Sequence, residues 1–383
     1  MNIYALQKIK VLDLTSYIAG PYCTTLLSDL GAKVIKIEPL DGDPFRTLAP
    51  GFQAWNRGKR GITLDLKNMK GLSLFYRLVK EADVVVQNYK PGTAEKLKVD
   101  YNSLSKMNPK LIYFTITGYG SNGPFSSMPA FDPLLQALSG CMYSEGNYED
   151  PVFLRIPIAD YGAAMIGAFG IAAAIFHRQI TGDGQNLGTS LLNSVATFQA
   201  AEFSSNKGVH SQNKLDLLGN SSTYRIYRCN DGWFFLSCTS DELFKRLYLT
   251  LDSNKQLRPF LNSTQRIKGN RELSIVLAKI FEEFSLNWCI SELRNNNVPC
   301  SLIRYGYQIH LDPYVKNRGA SIDLNSAELG LTKQIGIAVK LSKTPGYVQG
   351  SAPSLGQHND IILKDLGLTE KEILKLRFEK IIA

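Results

Sequence analysis

The feature that most constrains this chain is an alternation, running through its N-terminal third, of short apolar runs with helix-length amphipathic segments. Lys10-Val11-Leu12-Asp13-Leu14 reads as a buried strand. Residues 22–30 read as a helix ended by Gly31, and Val34-Ile35-Lys36-Ile37 as a second strand. The unit recurs with a helix predicted over 69–81, a strand at 83–86, a further helix and a strand at 111–116. Strands separated by helices in this way predict the α/β class, with a parallel sheet covered on both faces.

The chain has 383 residues, more than one core usually organises, so a second domain is expected. A helix is predicted from about 133 to 139 and a long one over 161–179, rich in Gly and Ala, followed by the turn Thr181-Gly182-Asp183-Gly184-Gln185. A polar, irregular stretch over 199–222 reads as a crossing between domains. Tyr224–Arg228 and Trp233–Ser237, joined by Asn230-Asp231-Gly232, then read as a hairpin opening a new unit. The expected division is a large α/β part over 1–198, the crossing, a small domain over 223–320 and a return over 321–383. That return ends in a charged amphipathic helix over 369–380.

Composition removes several function classes. The N-terminal residues carry no charged segment followed by a sustained apolar stretch, so secretion is not expected. The apolar segment from Ala159 to Phe176 is mostly Ala and Gly and holds Asp160. It reads as a buried helix, not a membrane span. Six cysteines form no CxxC pair and none has a histidine at metal-ligand spacing, which fits a reduced cytoplasmic protein with no metal. The net charge is +9, yet the basic residues are dispersed, which argues against nucleic acid and allows a phosphorylated small molecule. Glu38 stands where a dinucleotide-binding fold places its ribose ligand. The turn after the first strand, Thr15-Ser16-Tyr17-Ile18-Ala19-Gly20-Pro21, lacks the G-x-G-x-x-G that such a site requires.

Seven segments stand in a characteristic order: Val11-Leu12-Asp13-Leu14-Thr15 with Gly20-Pro21; Gly31 to Glu38; Asn56-Arg57-Gly58-Lys59-Arg60 with Leu64-Asp65-Leu66-Lys67; Asn88-Tyr89-Lys90-Pro91-Gly92; Pro157-Ile158-Ala159-Asp160; Thr181 to Gln185; and Gly356-Gln357-His358-Asn359-Asp360. Together they resemble the class III CoA-transferases of the CaiB/BaiF family, which also contains acyl-CoA racemases. The resemblance implies a Rossmann-like large domain built from both chain ends, a smaller α+β domain, and a homodimer interlocked like two rings. It also implies coenzyme A as the thioester substrate and product, with an acyl-CoA donor and a carboxylic acid acceptor.

Asp160, read alone, is a carboxylate at a helix start, where it serves as a cap. The resemblance makes it the covalent nucleophile, passing through an aspartyl anhydride and an aspartyl-CoA thioester. Asp132 matches a second acidic residue of the family site, and it also reads as an N-cap before Pro133. Ile18, Ala19, Leu66, Lys67, Asn88, Tyr89, Lys90 and Lys96 match positions that contact CoA. Gly219, Asn220 and Ser221 match a substrate loop whose amides could stabilise an oxyanion, although the glycine run of the formyl-CoA transferases is missing there. Pro39 and Pro129 replace basic residues of some relatives, which directs attention to Lys36 and Lys59 as alternative phosphate anchors. Phe131 stands where the racemases carry a histidine, so transfer is favoured over a 2-methylacyl-CoA racemase. A CoA-binding protein of the same fold without chemistry is the third reading.

Overall fold

The computed structural model describes residues 3–146, 150–204, 217–251 and 254–383. Two compact units are present: Met1–Met142, Phe153–Asn206 and His310–Ala383 form the first, Tyr143–Val152 and Lys207–Ile309 the second.

The first unit is organised by six parallel strands, β1 (Lys10–Asp13), β2 (Lys33–Glu38), β3 (Arg60–Thr63), β4 (Val84–Gln87), β5 (Ile112–Thr117) and β6 (Asn186–Ser190), in the order β3-β2-β1-β4-β5-β6. Alternate residues of each strand serve opposite faces. Leu12, Val85 and Tyr113 pack with Phe75, Val79, Ile362 and Ile373. Val11, Val84, Val86, Ile112 and Phe114 pack with Cys23, Leu27, Ala163 and Ile171. Burial on both faces is why these strands are continuous apolar runs in the sequence.

Two strands of this six-stranded sheet, β3 and β6, were not predicted from the sequence. β3 holds Gly61, where a Cβ would come 2.9 Å from Pro353, because the C-terminal segment returns along this edge of the sheet. His358 N donates to Gly61 O at 3.0 Å, Asn359 accepts from Thr63 N at 2.9 Å, and Asp65 N donates to Ile381 O at 3.0 Å. β6, Asn186-Leu187-Gly188-Thr189-Ser190, is polar and lies at the opposite edge, so it lacks the apolar signature of a central strand. A further hairpin, β11 (Ser321–Ser326) with β12 (Gly330–Ile335), belongs to the return segment.

The second unit contains β7 (Gly219–Ser221), β8 (Tyr224–Arg228), β9 (Trp233–Ser237) and β10 (Cys300–Leu302), antiparallel in the order β10-β9-β8-β7. The β8–β9 hairpin has the predicted bounds, pairing Tyr224 with Ser237 and Arg228 with Trp233. Phe234 and Leu236 bury against Phe244, Leu277, Phe281 and Leu293 of the covering helices. The stretch expected to be an irregular crossing begins with a short helix, Ala200–Phe203, and ends in β7. Residues 205–216 lie outside the described residues.

Candidate active site

The order of strands in the large sheet reverses between β1 and β4, the switch point at whose carboxyl ends α/β sheets generally hold ligands in a crevice. The loop after β1 ends at Ile18, with Ala19 opening the helix that follows, and the loop after β4 carries Asn88, Tyr89 and Lys90. Leu66 and Lys67 follow β3 at the same edge. Asn88 ties two of these loops together, donating from Nδ2 to Ser16 O at 2.7 Å and accepting the Ser16 N–H at 3.0 Å. Its amide therefore positions the first loop, leaving one N–H and one lone pair for a ligand. Tyr89 and Leu66 pack against the core around Leu12, and burial pushes the Tyr89 phenol up from its ordinary pKa. Lys67, Lys90 and Lys96 are exposed, and no ion pair engages them among the described residues.

Lys36 and Lys59 do not serve as phosphate anchors, contrary to the sequence expectation. Both ammonium groups are fully buried and committed. Lys59 Nζ meets Asp13 at 2.8 Å, Pro21 O at 2.8 Å and Asn56 at 2.9 Å; Lys36 Nζ meets Asp43 at 2.9 Å and Thr15 O at 2.9 Å. Burial alone would raise the Asp13 carboxyl, but Lys59, Lys36 and hydrogen bonds from Lys59 and Thr15 outweigh it and hold the group well below the usual carboxylate range. These lysines stiffen the loop after β1 from beneath.

The nucleophile candidate sits on the helix Ile158–Thr181, whose small residues let it approach its neighbours closely. A Cβ on Gly167 would lie 2.4 Å from the Phe114 ring, and one on Gly162 would lie 2.2 Å from Ser194 Oγ. The helix is long and apolar enough to cross a membrane, yet Ala159, Ala163, Ala164 and Ile171 are buried in the core of the first unit.

Asp160 is the third residue of this helix, not its cap. The capping position is Pro157, which offers no side-chain acceptor. The acceptor comes instead from Asp132, whose Oδ2 takes the N–H groups of Ala159 at 2.6 Å and Asp160 at 3.1 Å. Asp132 likewise does not cap its own helix, Asp132–Leu138, whose capping residue is Phe131. It caps the neighbouring one. Gln136 completes the arrangement by donating to Asp132 Oδ1 at 2.5 Å.

The Asp160 carboxylate is partly buried, and the backbone N–H of Ala19, the first residue of the helix Ala19–Asp29, favours its charged form. Desolvation, with repulsion from Asp132 added, outweighs the influence of the Ala19 amide and raises its pKa to about 7. The next residue, Tyr161, is held by Trp55, whose Nε1 donates to the phenol oxygen at 3.1 Å, and by an edge-on contact with Tyr22 at 5.0 Å. Trp55 and Tyr161 were not singled out as a pair by sequence, since 106 positions separate them. Tyr17, at φ 70° in the loop after β1, is a further residue the sequence reading passed over; a bulky side chain in the left-handed region marks a conformation imposed by its surroundings.

Gly219-Asn220-Ser221 belongs to the second unit, where it forms edge strand β7. Gly219 has φ 153°, and a Cβ there would strike Tyr224 O at 2.4 Å, so the glycine is required by close strand pairing. Phe131 is 58% exposed. His358 accepts from Gly61 N, and His310 bonds Ser321. Among the described residues no histidine bonds Asp160 or Asp132. His210 lies outside them. Two clefts, of about 350 and 400 Å³, lie elsewhere: one at the amino ends of β1–β3 beside Lys10, Lys33 and Arg60, the other between residues 69–77 and 368–379. Neither includes a site candidate.

The fold is that of an α/β protein with a parallel sheet and a topological switch point, with the partly buried carboxylate of Asp160 near the Ala19 amide of the helix that follows β1. The chain belongs to CoA-transferase family III, whose family model matches residues 6–359, and it is thus a class III CoA-transferase. It is 31% identical to the succinyl-CoA–L-malate CoA-transferase beta subunit of Chloroflexus aurantiacus, over 98% of each chain. It is also 31% identical to the succinyl-CoA–D-citramalate CoA-transferase of that organism, over 98% of each. Identity is 30% to the succinate–glutarate CoA-transferase of Agrobacterium fabrum, over 96% of each. A solved CaiB/BaiF family protein from Brucella suis matches with a TM-score of 0.87 at 29% identity, covering 95% of this chain and all of that one.

Proposed function

We propose that the protein moves CoA from an acyl-CoA to a free carboxylic acid through covalent intermediates on Asp160. The carboxylate attacks the thioester carbonyl, giving a mixed anhydride and releasing CoA thiolate. The thiolate attacks the aspartyl carbonyl, expelling the first acid and leaving an aspartyl-CoA thioester. The incoming carboxylate attacks that thioester, releasing the thiolate again. Attack of the thiolate on the new acyl group forms the product and restores Asp160.

The observation that carries this reading is the setting of Asp160: partly desolvated, with a pKa of about 7, and beside the Ala19 amide at the switch-point crevice. A carboxylate so raised is a stronger nucleophile than an ordinary aspartate and is still substantially ionised near neutrality. The capping of its helix by Asp132 and the nearby Ala19 N–H support a reading in which the carboxylate is positioned before substrate arrives. The crevice would take the CoA moiety, with Ile18, Ala19, Leu66 and Tyr89 along its apolar side and Lys67, Lys90 and Lys96 at the phosphates. Small dicarboxylates are the substrate class suggested by the relatives that act on malate, citramalate and glutarate.

A homodimer is part of the proposal. Met165, Phe169, Phe176 and Ile180 form an exposed apolar stripe on the Asp160 helix, and Phe131, Leu134 and Leu138 form another on the Asp132 helix. A second copy covering them would also shield the nucleophile from water. The six cysteines, all free thiols, support a reducing cytoplasmic setting. Replacing Asp160 by Ala abolishes exchange and leaves CoA binding in place; turnover in that variant would end the proposal.

A further inference from the structure

We propose that Gln136 is a positioning residue for the nucleophile, acting through Asp132 and resting on the reading of Asp160 given above. Its side chain is fully buried, and every polar atom is engaged. Nε2 donates to Asp132 Oδ1 at 2.5 Å and to Leu154 O at 3.1 Å, while Oε1 accepts from Leu154 N at 3.2 Å. The amide orientation is thus fixed three times over, because a flip would set its oxygen against a carboxylate and a carbonyl.

The two things Gln136 grips are the two that place Asp160. Asp132, one helical turn earlier on the same face, caps the Asp160 helix through Ala159 N and Asp160 N. Leu154 begins the short segment that leads into that helix. Holding both, Gln136 sets the angle at which the helix starts and with it the approach of the Asp160 carboxylate to the thioester. A buried polar network with every member satisfied is stiff, and one with a missing member is not. An ionised glutamate could not replace it, since it would face both the Asp132 carboxylate and the Leu154 carbonyl; only the protonated acid keeps a donor for Asp132.

The charged group bearing on Asp160 is Asp132. From the adjoining helix Ala19–Asp29, the Ala19 amide and the Tyr22 ring face this region, and Tyr161 lies beside them. Arg57 and Lys59 behind that helix are taken up by Asp29 and Asp13. Gln136 itself does not titrate, so a glutamate there adds one new titration to a small set.

The test compares Gln136→Met and Gln136→Glu with the parent in single-turnover acylation by succinyl-CoA, quenched with hydroxylamine and read at Asp160 by mass spectrometry on both sides of neutral pH. CoA affinity is measured in parallel by calorimetry. Gln136→Met slows acylation roughly ten- to hundredfold, the scale of a small misplacement of a reacting group, with CoA affinity unchanged. For Gln136→Glu the ratio of variant to parent rate rises as pH falls, because the introduced carboxyl, once protonated, regains the donor for Asp132. Parent-like rates in both variants overturn the proposal, as does a Gln136→Glu ratio that is flat with pH. If Gln136→Met does not fold, the near-isosteric Gln136→Glu profile decides. An adduct on a residue other than Asp160 in the parent would instead remove the nucleophile reading itself.

Discussion

Asp132 Oδ2 stands 3.1 Å from the backbone nitrogen of Asp160 and accepts its N–H, so one acidic residue ends the helix that presents the other. This gives Asp132 two separable effects on its neighbour, a structural one through the capping bonds and an electrostatic one through its charge.

Asp132→Asn and Asp132→Ala separate those effects. Asn keeps an acceptor for the helix amides and drops the negative charge; Ala drops both. The pH midpoint for acylation, expected near 7 in the parent from Asp160, moves to lower pH in both variants because repulsion is removed. Both variants lose stability: Asp132→Ala by about 1 kcal/mol for the missing cap, and Asp132→Asn because its NH2 then faces the Gln136 NH2 in place of the acceptor Oδ1. Denaturant unfolding with stopped-flow acylation across pH checks both.

Asp160 is predicted to cost stability at neutral pH. Its folded pKa of about 7 lies above the ordinary aspartate value of 3.8, so between those values the folded state holds the proton more tightly than the unfolded state. The contribution is fully present below the lower value and is lost as pH rises through 7. Asp160→Asn cannot ionise, and above that window it unfolds later than the parent by roughly 1–2 kcal/mol, allowing for partial solvent access. Equal stability at alkaline pH would show that the carboxylate is not desolvated.

Lysines divide into two groups by the same measurement. Lys59→Met leaves Asp13 charged and buried without its partner, at a cost of about 3–5 kcal/mol. Lys67→Ala, Lys90→Ala and Lys96→Ala change stability by less than about 0.5 kcal/mol. They weaken CoA binding, with a loss that shrinks as salt increases. Thermal melts paired with calorimetric CoA titration distinguish the groups.

Gly167→Ala places a methyl 2.4 Å from the ring of Phe114 and 3.1 Å from Cys23 Sγ, both buried in the core. Overpacking of this kind costs about 1–3 kcal/mol. The melting transition falls accordingly, while the pH midpoint of acylation stays where it was.

The central strands were legible because both faces are buried and their residues are apolar without interruption; β1, β2, β4 and β5 all lie within a residue or so of their predicted bounds. β3 and β6 were not, since Gly61 and the polar run Asn186–Ser190 owe their strand form to the Pro353 segment and the sheet edge. Family motifs pointed to Asp160, Asp132 and the loops after β1, β3 and β4; the structure puts Asp132 against the start of the Asp160 helix, and the parallel strands β1, β3 and β4 end on one side of the sheet. What the motifs could not convey was which charges are spent inside. Lys36 and Lys59 look like any other lysine until Asp43 and Asp13 are seen beneath them. Gln136 left only a faint trace, its spacing of one helical turn from Asp132. The Trp55–Tyr161 bond joins elements far apart in sequence and left none.

The most direct test of the account is to incubate the protein with a panel of acyl-CoAs, quench with hydroxylamine and map the adduct by mass spectrometry. The predicted result is a hydroxamate on Asp160, formed with the productive donors and absent from Asp160→Ala. Continued exchange with no adduct on Asp160, or an adduct on a different residue, would contradict it.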